Sequence, residues 1–426
     1  MLRVEDTDEK RYRREWLEAI YESLRWLGLD WDEGEGMGGA YAPYLQSARD
    51  ARHREVAREL LARGLATPDL GAPELVKVEL ARPLEPALRL RVDPSREFVV
   101  DDKIRGRVVF PPGSLGDFVI TKTGGSPLYN FAAAIDDHDM AITHVIRGEE
   151  HLSNTPKQLL VYEAMGWTPP VYAHLPIILN ERRAKLSKRD GGALVSDYEK
   201  MGILPDALFN FLTLLGWSPG GNREILSRDE LIAQFDLDRV VKHPAVFDLA
   251  KLKWLNGEYM KKAAPLQLAV EIQRLLGTPK RDDERARLER VADLLKDRVT
   301  TLGDLIEQGG YLLHAGAIEP TSEALAKHCA EPGSIERLRQ LREALAALAS
   351  FDDAAIESAI RGLAERNGAK AAAYIHPLRV ALTGQSVSPG IFDVTRLVGK
   401  ETALRRIDDL IGRLQRQPAS DVGVTT

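Results

Sequence analysis

The stretch that decides the fold is residues 175–192, which read LPIILNERRAKLSKRDGG. The apolar run at 175–179 indicates a strand. It leads into a loop with five cations within the eight residues 182–189. Such a loop is either a solvated turn or a place that holds a polyanion, because lysine and arginine bind phosphate oxygens. The pair Gly191-Gly192 gives the loop a flexible end.

The segments upstream of this loop alternate between strands and a helix. Residues 118–120, 142–146 and 172–179 have the apolar runs of strands, and residues 153–166 have the Ser-Asn-Thr-Pro start and glycine end of a helix. This alternation predicts an α/β fold with a doubly wound, Rossmann-like parallel sheet. Ligands of such sheets bind beyond the carboxyl ends of the strands, which is where the cationic loop follows.

Two other parts of the chain have a different character. Residues 67–112 combine alternating apolar residues with prolines, which predicts a small β-rich insertion between two α/β pieces. Beyond Gly192 the pattern is almost entirely helical, and residues 261–426 predict an all-α domain of short helices. The chain therefore has several domains, as its 426 residues require.

Composition is that of a water-soluble globular protein. Apolar residues make up 44% and charged residues 29% of the chain. The sequence contains no run of 18 apolar residues that would span a membrane, and it shows no leader with a basic start and an apolar core. We therefore expect a cytoplasmic protein that does not bind a membrane. The one cysteine, Cys329, cannot build a disulfide or a thiolate zinc site within the chain and is expected in the core.

The charge of the chain is uneven. A net charge of −6 argues against indiscriminate binding of nucleic acid. From Arg361 to the end, however, ten basic residues oppose six acidic ones. This asymmetry points weakly to a nucleic-acid surface near the C-terminus.

Seven short stretches follow one another along the chain: Arg3-Val4-Glu5-Asp6-Thr7-Asp8, Leu128-Tyr129-Asn130-Phe131, Val145 to Thr155, Lys185 to Arg189, Leu215-Gly216-Trp217-Ser218-Pro219, Val246-Phe247-Asp248-Leu249 and Trp254-Leu255-Asn256-Gly257. In this order they resemble the glutamyl-tRNA synthetases, a family of class I aminoacyl-tRNA synthetases. The loop sequence Lys-Leu-Ser-Lys-Arg is similar to the Lys-Met-Ser-Lys-Ser-type loop that closes over ATP in that class. An eighth stretch, His376-Pro377-Leu378-Arg379 with Ala381-Leu382-Thr383-Gly384, resembles the C-terminal helical domain of the same family.

The resemblance implies a glutamate site made of three residues. It puts Arg147 on the side-chain carboxylate of glutamate, Glu5 on the ammonium group and Tyr129 within hydrogen-bonding reach. A planar guanidinium suits a carboxylate because it donates two parallel hydrogen bonds. Arg147 could instead form a surface salt bridge with Glu149 or Glu150.

The resemblance also implies an ATP site in the cationic loop. Lys185 and Lys188 are the predicted catalytic residues, with Leu186, Ser187 and Arg189 in the same loop. Magnesium is expected to arrive with the nucleotide, held mainly by its phosphates. His151 is expected either at the nucleotide or in a packing or capping role. For Asp6 and Asp8 the alternative is charge at a helix N-terminus.

The sequence departs from the family in two ways. The family begins with a strand and a Pro-Thr-Gly-x-Leu-His-Ile-Gly-type segment that binds ATP, and the given chain starts after it. We expect a start codon assigned too late, or a fragment, and an exposed sheet edge with an uncovered apolar face. The insertion near Thr67 lacks the cysteine cluster that some members use for zinc, so no zinc is expected.

The predicted function is therefore that of a monomeric, ATP-dependent glutamate–tRNA ligase. It would activate L-glutamate and transfer it to tRNA(Glu), or also to tRNA(Gln). The alternative is an inactive, truncated tRNA-binding protein. The predicted domains are a catalytic domain (1–66 and 113–195), an acceptor-binding insertion (67–112), a stem-contact region (196–260) and an anticodon-binding domain (261–426).

Overall fold

A computed structural model of the chain describes residues 1–7, 12–69, 85–186, 194–277 and 282–416. The chain divides into two compact units. The first unit consists of Met1–Asp197 and Pro205–Leu252, and the second unit consists of Tyr198–Leu204 and Lys253–Thr426.

The strands of the described residues all belong to the first unit. They are β1 (Ala66–Pro68), β2 (Leu88–Leu90), β3 (Phe98–Asp102), β4 (Gly106–Phe110), β5 (Phe118–Thr121), β6 (His144–Gly148), β7 (Val171–Leu175), β8 (Ile178–Leu179) and β9 (Ala245–Val246).

The helices occupy most of the rest of the described chain. They are α1 (Arg14–Trp26), α2 (Asp50–Ala62), α3 (Tyr129–Asp139), α4 (Thr155–Met165), α5 (Val195–Lys200), α6 (Pro205–Leu214), α7 (Arg228–Gln234), α8 (Leu249–Lys262), α9 (Pro265–Leu276), α10 (Asp282–Leu295), α11 (Leu302–Gln308), α12 (Gly310–Leu313), α13 (Ser322–His328), α14 (Ser334–Ala346), α15 (Asp353–Arg366), α16 (Ala372–Thr383), α17 (Ile391–Val398) and α18 (Lys400–Arg416), with 3₁₀ turns at Gln46–Arg49, Glu149–Asn154 and Leu237–Arg239.

The central sheet of the first unit has the order β4-β3-β7-β6. β6 and β3 both run parallel to β7, and β4 pairs antiparallel with β3. This confirms the predicted α/β fold with parallel strands. The parallel strands are joined by helical crossovers, as such pairing requires.

The sheet differs from the sequence prediction at β3 and β4. Both strands lie inside the predicted insertion 67–112, yet they belong to the central sheet, where β3 pairs with β7 and β4 pairs with β3. The other strands of that insertion, β1 and β2, pair with β5 in a separate antiparallel sheet. The reason is that a hairpin such as β3–β4 can add to either sheet, and local periodicity does not encode its partner.

Both faces of the central sheet carry an apolar cluster. One cluster joins α2, α3 and α4 to β2 and β3, and includes Phe131, Ile135 and Val161. The other includes Ala173 of β7 with Trp217 and Leu231. Burial on two faces explains the continuous apolar character of the strands.

Two apolar surfaces of the first unit are exposed. β6 is the last strand of its sheet among the described residues, and Ile146 on it is 49% exposed. Trp16 and Ile20 have helical spacing on one face of α1 and are exposed, whereas Leu17 and Tyr21 are its buried residues. The exposed pair lines an open groove with Leu2, Val4 and other residues of the first segment.

The second unit is helical and is organised around a buried arginine. Arg406 of α18 is 1% exposed. Its guanidinium donates to the carbonyl oxygens of Tyr311 (2.8 Å), Leu382 (2.9 Å), His314 (2.5 Å) and Gly316 (3.1 Å). These carbonyl oxygens lie in the last turns of α12 and α16 or in the residues after α12. Carbonyl groups at a helix C-terminus lack a partner within the helix, and the Arg406 side chain supplies it.

Two predictions about composition can be compared with the structure. Cys329 is a free thiol and is buried, as the sequence predicts. Among the described residues, no helix combines the length and the apolar character that crossing a membrane requires.

Candidate active site

Three neighbouring parallel strands bring polar side chains together at their carboxyl ends. Asp102 ends β3, His174 lies near the end of β7 and Arg147 lies near the end of β6. Arg147 and His174 are direct partners in the register of β6 and β7. The sheet rule that places ligands at the carboxyl ends of strands therefore points to this edge.

The Arg147 guanidinium is held by protein acceptors along one edge. Its Nε lies 3.1 Å from His174 Nε2, and its Nη2 donates to Thr155 Oγ1 (2.8 Å) and Gln158 Oε1 (3.0 Å). Thr155 and Gln158 lie in the first turns of α4 and are fully buried. The Arg147 guanidinium also lies over the Tyr172 ring, 5.5 Å from its centre. Nη1 takes part in none of these hydrogen bonds.

Tyr129 and Glu5, the other two predicted glutamate-site residues, lie near Arg147. Tyr129 begins α3. Burial raises the pKa of the Tyr129 phenol, the Glu5 carboxylate raises it further, and a hydrogen bond with Arg147 opposes both. These effects indicate that Arg147 and the Glu5 carboxylate lie near the Tyr129 phenol, which stays protonated and able to donate a hydrogen bond.

Glu5 is held by a cation that the sequence did not predict. Arg3 Nη2 lies 3.0 Å from the Glu5 carboxylate, and Arg3 Nη1 lies 2.7 Å from Asp137. Burial raises the pKa of Asp137, although Arg3 opposes this effect. Arg3 therefore links the segment that carries Glu5 to the end of α3.

The cationic loop approaches the same edge of the sheet. Lys185 Nζ lies 3.5 Å from the Glu150 carboxylate, which belongs to the 3₁₀ turn after β6. The loop base is held by a Leu179–Lys185 bridge and by the pairing of β8 with β9. Leu186 continues the base, its N–H donating to the Ile178 carbonyl. Ser187, Lys188 and Arg189 lie outside the described residues.

His151 lies in the turn between β6 and α4. Its ring centre is 6.2 Å from that of Tyr129, and its Nδ1 is 3.3 Å from Asn154 Nδ2. The carbonyl of His151 lies 3.4 Å from Arg147 Nη2. These contacts give it a packing role beside the predicted glutamate residues.

The sequence left two alternatives open: a surface salt bridge for Arg147 and a helix N-terminal role for Asp6 and Asp8. Among the described residues, Arg147 forms no salt bridge with Glu149 or Glu150, because Glu149 pairs with Arg105 and Glu150 with Lys185. Asp6 accepts hydrogen bonds from the Ser47 N–H (2.8 Å) and hydroxyl (2.6 Å), in the 3₁₀ turn before α2. Asp6 thus has the helix N-terminal role. Asp8 lies outside the described residues.

Within the described ranges, no group of three or more His, Cys, Asp or Glu side chains is arranged to hold a metal ion. The polar groups of the site are instead arranged as hydrogen-bonding partners of one another.

Two family profiles together match most of the chain. The profile described as "tRNA synthetases class I (E and Q), catalytic domain" matches residues 1–79 and 72–254. The profile described as "Anticodon binding domain" matches residues 258–411. The chain belongs to the class I aminoacyl-tRNA synthetases of the glutamyl and glutaminyl family.

Individual relatives agree with this family membership. A glutamate–tRNA ligase of Moorella thermoacetica is 38% identical over 96% of this chain and 90% of its own length. One of Desulforudis audaxviator is 40% identical over 96% of this chain and 89% of its own length. The crystal structure of the Elizabethkingia meningosepticum glutamate tRNA ligase, in complex with its amino acid, matches with a TM-score of 0.82 and 32% identity, covering 97% of this chain and 92% of that one.

Several polar residues of this synthetase site were not found from the sequence. They are Arg3 and Asp137, the pair Asp102 and His174, and the α4 residues Thr155 and Gln158. His174 and Asp102 each stand in an apolar strand pattern, as a polar residue among residues that bury both faces. A polar residue at a core position of a strand is a signal that could have identified them.

Proposed function

We propose that this chain is a glutamate–tRNA ligase that activates L-glutamate with ATP and transfers it to the 3′ end of tRNA(Glu). The observation that carries the proposal is that Arg147 lies near the carboxyl end of β6, close enough to Tyr129 to affect its pKa as Glu5 also does, and next to the turn that Lys185 contacts. This is an arrangement for an amino acid with an anionic side chain beside a polyphosphate. The catalytic profile and the named relatives support the same activity.

In the proposed glutamate site, each group has a distinct role. Arg147 pairs with the side-chain carboxylate, and Nη1 is the nitrogen proposed to face it, since Nε and Nη2 hold His174, Thr155 and Gln158. Glu5 accepts from the substrate ammonium group. The Tyr129 phenol donates a hydrogen bond to a substrate oxygen, since its raised pKa keeps the phenol protonated.

In the proposed ATP site, Lys185 and Lys188 neutralise charge on the phosphate oxygens while the glutamate α-carboxylate attacks the α-phosphorus and pyrophosphate leaves. Such a reaction depends on alignment and on charge stabilisation. Leu186, Ser187 and Arg189 complete the loop, with His151 at its side. Magnesium enters as part of the Mg²⁺–ATP substrate.

The proposed macromolecular partner is tRNA(Glu), read by the second unit, where the anticodon-binding profile matches. The catalytic profile covers the E and Q enzymes together. Charging of tRNA(Gln) by the same chain is therefore the second substrate to test, with the chain acting as a monomer.

Two variants test the two halves of the site in one experiment. Arg147→Ala is expected to raise the KM for glutamate by roughly 100-fold and leave the KM for ATP unchanged, because a charged hydrogen-bond partner is lost. Lys188→Ala is expected to lower the rate on the order of 100-fold with a nearly unchanged glutamate KM. Pyrophosphate exchange in the presence of tRNA measures both.

The control is Lys122→Ala, an exposed lysine on the turn after β5, which should leave both parameters unchanged. Aminoacylation of purified tRNA(Glu) and tRNA(Gln) then reads the tRNA preference. Equal use of glutamate by the Arg147→Ala variant and the unaltered protein would contradict the proposed site.

A further inference from the structure

The Asp102–His174 pair is a buried polar pair of the site, and His174 contacts Arg147 directly. Both side chains are fully or nearly fully buried, with Asp102 at 4% and His174 at 0% exposure. His174 Nδ1 lies 2.5 Å from Asp102 Oδ2, and His174 Nε2 lies 3.1 Å from Arg147 Nε. The three side chains form a line across β3, β7 and β6.

The protonation of this line follows from what each group can do. An arginine N–H only donates, so His174 Nε2 has to be the acceptor and the ring proton has to be on Nδ1. Nδ1–H then donates to Asp102. Thr155 Oγ1, 3.1 Å from Nε2, accepts from Arg147 and fits the same arrangement. A proton on Nε2 would face the guanidinium N–H with a second donor.

Asp102 is kept ionised by its surroundings. Burial tends to raise its pKa, but hydrogen bonds from His174 and from the backbone N–H groups of Arg105 and Ile104 outweigh burial and lower the pKa. Those backbone bonds reach Oδ1 (2.7 Å and 3.0 Å), while Oδ2 is the oxygen that meets the ring. The two oxygens thus have separate roles.

We propose that Asp102 and His174 are positioning residues for glutamate selection: Asp102 fixes the Nδ1-protonated tautomer of His174, and His174 fixes Arg147 so that Nη1 faces the substrate carboxylate. This inference rests on the proposed function of Arg147. Neither residue touches substrate. In other sites, the residues behind a binding group fix its tautomer and its direction. Here the Asp102 carboxylate and the His174 imidazole would do so for the Arg147 guanidinium.

Three variants separate the steps of this chain of contacts. Asp102→Asn keeps Oδ1 for the backbone N–H groups but puts an amide donor against His174 Nδ1, which forces the ring proton onto Nε2. His174→Asn keeps a donor toward Asp102 and loses the acceptor for Arg147. His174→Gln is the conservative variant, since its Oε1 can replace Nε2 as the acceptor.

The expected result is a selective loss of glutamate affinity. Asp102→Asn and His174→Asn should each raise the dissociation constant and the KM for glutamate by about 10- to 100-fold, with the KM for ATP unchanged. His174→Gln should bind glutamate with a dissociation constant within about 3-fold of that of the unaltered protein. A purely structural role would change both substrates together and would show no such rescue.

A spectroscopic measurement tests the proposal without any variant. The ¹⁵N shifts of His174 in the unaltered protein should show a protonated Nδ1 and an unprotonated Nε2, and Asp102→Asn should reverse them. A protonated Nε2 in the unaltered protein overturns the inference.

The same variants distinguish a failure of the positioning role from a failure of the proposed glutamate site. If Arg147→Ala raises the glutamate KM but Asp102→Asn and His174→Asn do not, the positioning role is wrong and the glutamate site stands. If Arg147→Ala has no effect on the glutamate KM, the proposed site itself is wrong. An equal loss of ATP and glutamate affinity in the Asp102 and His174 variants also overturns the positioning role.

Discussion

Asp136 is a fully buried carboxylate whose charge is satisfied by side chains of the 3₁₀ turn at 46–49 and of α2. Its oxygens lie 2.8 Å from His53 Nε2, 2.6 Å from Arg49 Nε and 2.9 Å from Gln46 Nε2. Burial tends to raise its pKa, but these hydrogen bonds outweigh burial and hold the pKa below the ordinary value of 3.8. The network joins α2 to α3, and α3 carries Tyr129 into the site.

The lowered pKa of Asp136 predicts a pH dependence of stability. Because the folded-state pKa is depressed, the stabilisation is complete above the ordinary pKa and is lost as the pH falls through the folded-state value. Asp136→Asn should reduce amide protection of α2 and α3 at pH 7, by about 3 kcal/mol. It should also flatten the loss of protection below about pH 4.

Hydrogen exchange read by mass spectrometry measures this effect. Glu59→Gln, which alters an exposed ion pair with Arg63 on α2, is the matched control and should change little. Parallel pH profiles for Asp136→Asn and the unaltered protein would contradict the assignment.

At the scale of elements, β6 both carries the proposed substrate-binding arginine and forms one end of the central sheet among the described residues. An edge strand presents unpaired backbone N–H and C=O groups, and Ile146 adds exposed apolar surface. The combination favours pairing with another chain.

The predicted consequence is aggregation through the β6 edge at high protein concentration, although the working protein is proposed to be a monomer. Ile146→Lys should reduce the light scattering of concentrated solutions, because charge on an edge strand opposes edge-to-edge pairing. Val387→Lys is the control, since Val387 is 73% exposed but lies outside any strand. Equal reductions by both variants would mean that general surface charge, rather than the edge, governs association.

The elements also mark what the sequence could predict. Arg147 and Tyr129 were predicted as site residues because they stand in ordered motifs, and the α/β alternation predicted the parallel strands that the structure contains. The polar partners behind the site were not predicted, because a contact between distant segments leaves no periodic pattern in the local sequence. Arg3 with Asp137 and Asp102 with His174 join segments 134 and 72 residues apart.

The same limit applies to burial on α1. Trp16 and Ile20 have helical spacing, and that spacing predicts a shared face without saying what covers the face. Here the face borders an open groove, and Leu17 and Tyr21 take the buried positions.

For the whole molecule, the two compact units have separate stabilising centres. Arg406 and all four of its carbonyl partners belong to the second unit. Burial lowers the pKa of Arg406 to about 10, with Arg405 and Arg287 adding to the effect. The charge is costly to bury, and the carbonyl oxygens offset that cost.

Arg406→Ala is expected to destabilise the second unit by about 3 to 5 kcal/mol, because the carbonyl oxygens lose their donor. Hydrogen exchange of α12, α16 and α18 should increase, while glutamate affinity, which we assign to the first unit, should not change. Arg416→Ala, at an exposed position near the end of the same helix, serves as the control. A loss of glutamate affinity in Arg406→Ala would contradict this separation.

The three-strand line of Asp102, His174 and Arg147 has a consequence for the timing of synthesis. Asp102 leaves the ribosome 72 residues before His174, and Arg147 emerges between them. The arginine therefore exists in the nascent chain before the imidazole that would orient it. If Asp102 and His174 position Arg147 as we propose, discrimination among amino acids is acquired only when β7 inserts between its two neighbours, and a chain arrested before that moment has the binding group without its selectivity.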